Sequence, residues 1–302
     1  MPMSGRLTPF AELGGTRSQS RDLPLAVVII SRDISSSVAL RSVEASLGDF
    51  PHALMVVDAS HSDDAISLVR EFPSVRYIVP AKPISYTAAA LLGMEESSAR
   101  FVLIMPGDAS VTSLSLSEID TGGTACAVIA PVLSHQGRKA RSVMNGYITE
   151  DETIAFEYSE PADIDISLSA YRGIGLFDRG LYQEIGGFHQ FRSAAYTFLD
   201  YCYRALALGR PTVVHRACSM DVPDGEEPIS DELDDAYFHY RNALFPRYDK
   251  PASRIPAGIF SRARTAALLP RIRSIQEQRA WRHAHPRKDD EMLLYVRTNI
   301  LT

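Results

Sequence analysis

The sequence predicts an α/β domain built on a doubly wound, mainly parallel sheet flanked by helices, and three observations carry that prediction. Phe101-Val102-Leu103-Ile104-Met105 is an unbroken apolar run stopped by Pro106-Gly107, the pattern of a strand buried on both faces. Similar runs recur upstream with helix-period segments between them, and parallel strands require such crossovers. Three of these strands end in a carboxylate, at Asp33, Asp58 and Asp108. Ligands of open α/β sheets bind at the carboxyl edge, where the helices leave a crevice.

Taken in order, the first strand is Leu25 to Ile30, closing at Ser31-Arg32-Asp33. Ser35-Ser36-Ser37 then offers N-cap oxygens to a helix over Val38 to Leu47. Ala53 to Val57 is the second strand. Ser60 with Asp63 resembles a capping box, and Ile66, Val69 and Phe72 form one helical stripe. Val75 to Val79 is a short third strand, followed by a helix within Ser85 to Ser98, and Phe101 to Met105 is the fourth. Beyond Thr121 come a buried strand over Ala125 to Leu133 and an extended hairpin over Gly146 to Tyr158. A short helix over Asp178 to Ile185 is closed by Gly186-Gly187, followed by a helix over Tyr196 to Leu208 and a last strand over Pro211 to Cys218. On the Tyr196 helix, Asp200 and Arg204 stand four apart in the order that favours an ion pair.

At 302 residues, with 45% hydrophobic and 23% charged content, the chain can bury a large core. A formal charge of −6 argues against a nucleic-acid partner. Cys126, Cys202 and Cys218 lack metal-ligand or CxxC spacing and read as core residues in a reducing cytoplasm. No window approaches the roughly 18 apolar residues of a membrane span. The expected organisation is a loose leader over 1–22, one α/β domain over 23–250 and a basic helical extension over 251–302. That extension combines many arginines with Ile259, Phe260, Leu268, Leu269 and Trp281. Its composition suits either peripheral contact with an anionic membrane or packing on the domain or a second copy. Pro256 and Pro270 interrupt it.

Asp108 is placed to hold a divalent cation against a phosphate, and it can equally close its own turn through the backbone. The three strand-end acids read either as the lining of one site or as ordinary helix caps.

Taken together, these landmarks resemble the family-2 glycosyltransferases of the GT-A fold, over roughly residues 25 to 250. Val27 through Asp33 is similar to their opening strand, and Val56-Val57-Asp58-Ala59-Ser60-His61-Ser62-Asp63 to their Val-Asp-Asp-Gly-Ser-Thr-Asp segment. Leu103 through Asp108 resembles a variant metal motif. Glu184 through Phe188 matches their acceptor-side Gly-Gly-Phe, and Arg241-Asn242-Ala243-Leu244 their late Arg-Asn-x-Leu.

The resemblance implies inverting transfer of a sugar from a nucleoside-diphosphate donor to a cell-surface glycan or lipid-linked acceptor, as in polysaccharide biosynthesis at the inner face of the membrane. Asp58 would accept from the base, with Ser31, Asp33 and Asp63 beside the nucleotide. Asp108 would hold Mn2+ or Mg2+, with Asp221 standing where the family has a late His, and Gly187 and Phe188 would meet the acceptor. Homo-oligomers are compatible with it.

The departures are equally specific. Thr197-Phe198 stands where the family carries Glu-Asp, whose Asp is the general base, and Pro106 replaces a metal-motif carboxylate. Asp200, one turn from the lost base, is the candidate substitute. The alternative is a glycosyltransferase-like protein that has lost catalysis and serves as a binding or scaffold partner. A nucleotidyltransferase would need a glycine-rich phosphate loop after the first strand, and Ser31 to Ser37 contains no glycine.

Overall fold

The computed structural model describes residues 8–15, 23–32, 36–61, 65–117, 126–148, 154–162, 164–223, 232–242, 275–282 and 284. The strands are β1 (Phe10–Gly14), β2 (Leu25–Ser31), β3 (His52–Asp58), β4 (Arg76–Pro80), β5 (Phe101–Pro106), β6 (Ser110–Leu114) and β7 (Val128–His135). They continue with β8 (Arg138–Lys139), β9 (Val143–Ile148), β10 (Ile154–Ser159), β11 (Ile164–Ser167), β12 (Gly175–Asp178) and β13 (Thr212–Asp221). The helices are α1 (Ser37–Leu47), α2 (Ala65–Glu71), α3 (Tyr86–Glu96), α4 (Arg179–Ile185), α5 (Ala194–Ala207), α6 (Glu232–Arg241) and α7 (275–282).

β2 shows why these apolar runs become strands. Every residue of it is buried, and successive side chains point to opposite faces of the sheet. Leu25, Val27 and Ile29 join α1 and α2 in one core layer, while Val28 and Ile30 join α3, α4 and α5 in the other. A strand covered on both faces needs apolar residues at both parities, so its pattern is a run rather than an alternation.

The main sheet runs β1-β4-β3-β2-β5-β12-β7-β13-β11, with β6 on β13 and β8 on β7. Strands β4, β3, β2 and β5 are parallel, as are β7 and β13, while β12 is inserted antiparallel between β5 and β7. From β2 the chain winds outward to β3 and β4, then returns to place β5 on the other side of β2. That reversal creates a topological switch point between the carboxyl ends of β2 and β5.

Two boundaries differ from the sequence expectation. Residues 10–14, expected within the loose leader, form edge strand β1, antiparallel to β4. Charge holds it there: Arg76 of β4 pairs with Glu12 of β1 at 3.0 Å and with Glu96 at the end of α3 at 2.5 Å. β13 runs on past Cys218 to Asp221 because β6 and β7 both pair with its last residues.

A third core cluster lies outside the sheet, where α5, α6 and the β9–β10 hairpin meet around Tyr196, Leu199, Tyr203, Tyr237 and Phe238. Helix α7 packs on this cluster through Ile275 and Trp281, and Gln278 Nε2 donates to Asn242 Oδ1 at 3.1 Å. The described part of the basic extension therefore turns Ile275 and Trp281 toward the domain. For that segment this is the packing alternative; the expected boundary at residue 250 and the rest of the extension lie outside the described residues. No helix among the described residues is long and apolar enough to cross a membrane.

Candidate active site at the carboxyl edge of the sheet

The parallel strands β3, β2, β5, β7 and β13 all deliver their carboxyl ends to one edge. Across it stand Asp58, Ser31, Asp108, Ser134 and Asp221. Ser31 and Asp58 are register partners in the β2/β3 ladder and both are buried. The Asp58 carboxylate accepts from the Ser60 backbone N–H at 3.3 Å and from its hydroxyl at 3.4 Å, so the loop after β3 folds back over it. Asp33 and Asp63, the other two expected nucleotide residues, lie outside the described residues.

Asp108 sits in the turn between β5 and β6, next to the switch point. The turn is closed by the backbone, Ala109 N–H donating to the Pro106 carbonyl at 3.2 Å, while Gly107 N–H donates to the Ile30 carbonyl at 2.9 Å. A Cβ at 107 would stand 2.6 Å from the Ser36 hydroxyl oxygen, so any larger residue there would have to displace that hydroxyl. Among the described residues the half-exposed Asp108 carboxylate makes no hydrogen bond or ion pair. It therefore does not serve as a turn-closing cap.

Asp221 ends β13 opposite Ser110, two residues from Asp108, and accepts from the Ser134 hydroxyl at 3.0 Å. Among the described residues no group of three or more His, Cys, Asp or Glu side chains could hold a metal. Two carboxylates at one edge still match the chemistry of Mg2+-type sites, where one or two protein carboxylates suffice and substrate phosphates complete the shell. The unengaged charge of Asp108 fits that arrangement.

The remaining expected site residues are placed otherwise. Asp200 has no exposed surface. Its Oδ2 accepts from Arg204 Nε at 3.0 Å, and its Oδ1 from Arg241 Nε at 3.2 Å and Asn242 Nδ2 at 2.9 Å. Burial alone would raise its pKa, but Arg204 and Arg241 outweigh that effect and hold it at about 2. A carboxylate so engaged and so weakly basic is poorly suited to take a proton from an acceptor hydroxyl. The reason lies in Arg204 on the same helix together with Arg241 and Asn242, which are distant in sequence.

Gly187 and Phe188 also turn inward, a correction to the expected acceptor contact. The Gly187 carbonyl accepts from Arg204 Nη2 at 2.7 Å. Phe188 packs edge-on against Tyr182, Phe198, Tyr201 and Phe177 at centroid distances of 4.9 to 5.5 Å. Four rings were available to bury it, and burial is the more favourable use of its area.

Phe198, aligned by the sequence resemblance with that family's base, belongs to the same aromatic cluster and lies directly beneath Gly173, whose missing side chain makes room for the ring. The neighbouring Arg172 stands out in the sequence only as an Arg-Gly pair ahead of a strand. The three cysteines bear out their expected role in part: Cys202 and Cys218 are buried, and burial pushes the Cys218 thiol up to about 12.

Among solved structures the fold is similar to the crystal structure of GalNAc-T7 with UDP, GalNAc and Mn2+, with a TM-score of 0.63 over 90% of this chain. The fold is of the glycosyltransferase GT-A type. Sequence identity is 11%, and the match spans 56% of the length of the GalNAc-T7 chain, so the likeness is one of fold. No family model matches the sequence, and no curated protein does so at a significant level.

Proposed function

We propose that this chain is a glycosyltransferase that binds a nucleoside-diphosphate sugar at the carboxyl edge of its sheet and transfers the sugar to a glycan or lipid-linked acceptor. The observation that carries this reading is the unengaged Asp108 carboxylate at the switch point of a GT-A-type sheet, in line with Asp58 and Asp221. The sequence resemblance to family 2 supports it, as does a fold neighbour crystallised with UDP and Mn2+. Asp58 and Ser31 serve the nucleoside end. Asp108 and Asp221 would hold a divalent cation, Mn2+ or Mg2+, which when bound offsets the charge gathering on the departing diphosphate.

A second reading is favoured by one observation. An inverting transfer needs a base on the acceptor side, and α5 offers Phe198 where that base would stand and an Asp200 already bonded to three partners. On this reading the chain recognises sugar nucleotides without turning them over.

Calorimetric titration with several nucleoside diphosphates, with and without Mn2+, followed by turnover assays with a panel of sugar nucleotides, separates the two. Metal-dependent binding with turnover supports the transferase; metal-dependent binding without turnover supports the second reading. No nucleotide binding at all removes both.

A further inference from the structure

Among the described residues, three non-glycine residues have positive φ: His61, Gln136 and Arg172. All three lie at the carboxyl edge of the sheet, after β3, after β7 and before β12. Two are accounted for locally. Gln136 with Gly137 makes the tight connection between β7 and β8, and the His61 ring is bonded to the Pro80 carbonyl. Arg172, at φ 51° and ψ 20°, has no such account. Left-handed backbone costs a side-chain-bearing residue about 1–2 kcal/mol, and glycine or asparagine would be the cheaper choice there.

Arg172 is the middle residue of a single 3-10 turn, Tyr171–Gly173, that leads into β12. Gly175 is paired antiparallel with Ile104 of β5, and continuing that register carries this turn to the level of Pro106 and Gly107, the residues that precede Asp108. The turn is braced on both sides. The Tyr171 ring packs edge-on against Tyr158 at 5.1 Å, and Gly173 lies flush on the Phe198 ring. Its backbone is closed by Gly173 N–H to the Ala170 carbonyl at 3.0 Å and Ile174 N–H to the Tyr171 carbonyl at 2.9 Å. Arg172 itself is half-buried, and no hydrogen bond or ion pair holds it among the described residues. A rigid turn thus carries, at an edge that also holds Asp58, Asp108 and Asp221, an arginine with no partner among the described residues.

We propose that Arg172 is a phosphate-binding residue, donating to the diphosphate of the nucleotide at the switch point, with Phe198 as the positioning residue that fixes its turn. This rests on the nucleotide reading given above. A guanidinium suits the task because its planar donors match phosphate oxygens and its charge is permanent. The proposal also gives Phe198 a purpose: the ring in the place of a base supports the strained turn from below.

The full chain is titrated with uridine, guanosine, cytidine, adenosine and thymidine diphosphates in Mn2+, and the tightest is carried forward. Arg172→Asn removes the charge with a residue that tolerates the left-handed backbone. It is expected to keep the parent's thermal midpoint and to lose about tenfold to hundredfold in diphosphate affinity, the worth of a charge-assisted hydrogen bond. It should bind the matching nucleoside as the parent does, read by ligand-observed NMR, and Arg172→Lys should keep part of the affinity. Unchanged diphosphate affinity in Arg172→Asn, an equal loss for nucleoside and diphosphate, or a fall in thermal midpoint overturns the role of Arg172 and leaves the nucleotide site standing. A parent that takes up none of the five diphosphates overturns both.

Discussion

Asp200→Asn tests whether that carboxylate is structural or chemical. The substitution keeps the volume and removes the charge, leaving the buried guanidiniums of Arg204 and Arg241 without their counter-ion. Breaking a buried ion pair from one side costs about 3–5 kcal/mol. The parent's pH dependence gives an independent estimate. Its folded pKa of about 2 lies below the ordinary 3.8, so Asp200 adds stability that is fully present above 3.8 and is lost as pH falls through about 2. The difference corresponds to about 2 kcal/mol. Urea denaturation at pH 7 should therefore show Asp200→Asn less stable by about 3–5 kcal/mol. A series from pH 5 to pH 2 should show the parent losing about 2 kcal/mol that the variant never had. A variant as stable as the parent, but with turnover lowered about 10²–10⁴-fold, would refute this reasoning and restore Asp200 as the base.

The remaining predictions concern the carboxyl edge and the basic extension. Asp58→Ala should abolish nucleoside-diphosphate binding while the circular dichroism spectrum stays that of the parent, and parent-like affinity would move the nucleoside elsewhere. Asp108→Asn keeps the turn, whose closing hydrogen bond is backbone to backbone, and loses the charge a hard cation needs. Its diphosphate binding should no longer respond to Mn2+, and an undiminished response would place the cation on other residues. Because Trp281 packs on the domain, its fluorescence should not shift when anionic vesicles are added at low salt. A blue shift reversed by high salt would mean that α7 leaves the domain for the bilayer.

What could be read from the sequence follows from where each element is buried. β2 and β5 are covered on both faces, so their apolar runs are continuous and their ends are marked by Ser31-Arg32 and Pro106-Gly107. β1 carries no such run. It is an edge strand held by Arg76 and Glu12, and pairing between residues 64 positions apart leaves no local pattern. The same distinction runs through the candidate site. Asp58 and Asp108 could be placed at the sheet edge from the sequence because strand ends are local features. The Asp200–Arg204 pair was visible at helical spacing, but the contacts that take up its second oxygen come from Arg241 at the end of α6 and Asn242 just after it. Phe188 was misplaced because its ring partners are scattered from Phe177 to Tyr201. Arg172 stayed hidden because nothing in an arginine signals a left-handed backbone.

The two positions where this chain departs most from the family it resembles have acquired structural roles. The Thr197 hydroxyl accepts from the Phe191 N–H at 3.0 Å and donates to the Ser193 carbonyl at 3.1 Å, bracing the approach to α5. Phe198 is fully buried against Gly173 and braces the turn that carries Arg172. A carboxylate placed at 198 would have to be desolvated under that turn with no arginine in the set that serves Asp200 left unpaired, and an unpaired buried charge is strongly unfavourable. Reversing the substitution is therefore a change of architecture as well as of chemistry. If sugar transfer is observed, its base must come from outside α5. If only metal-dependent nucleotide binding is observed, the wedge under Gly173 explains why a nucleotide site could persist after the acceptor-side chemistry was lost: Phe198 keeps the turn rigid and Arg172 in place, and neither needs a proton to move.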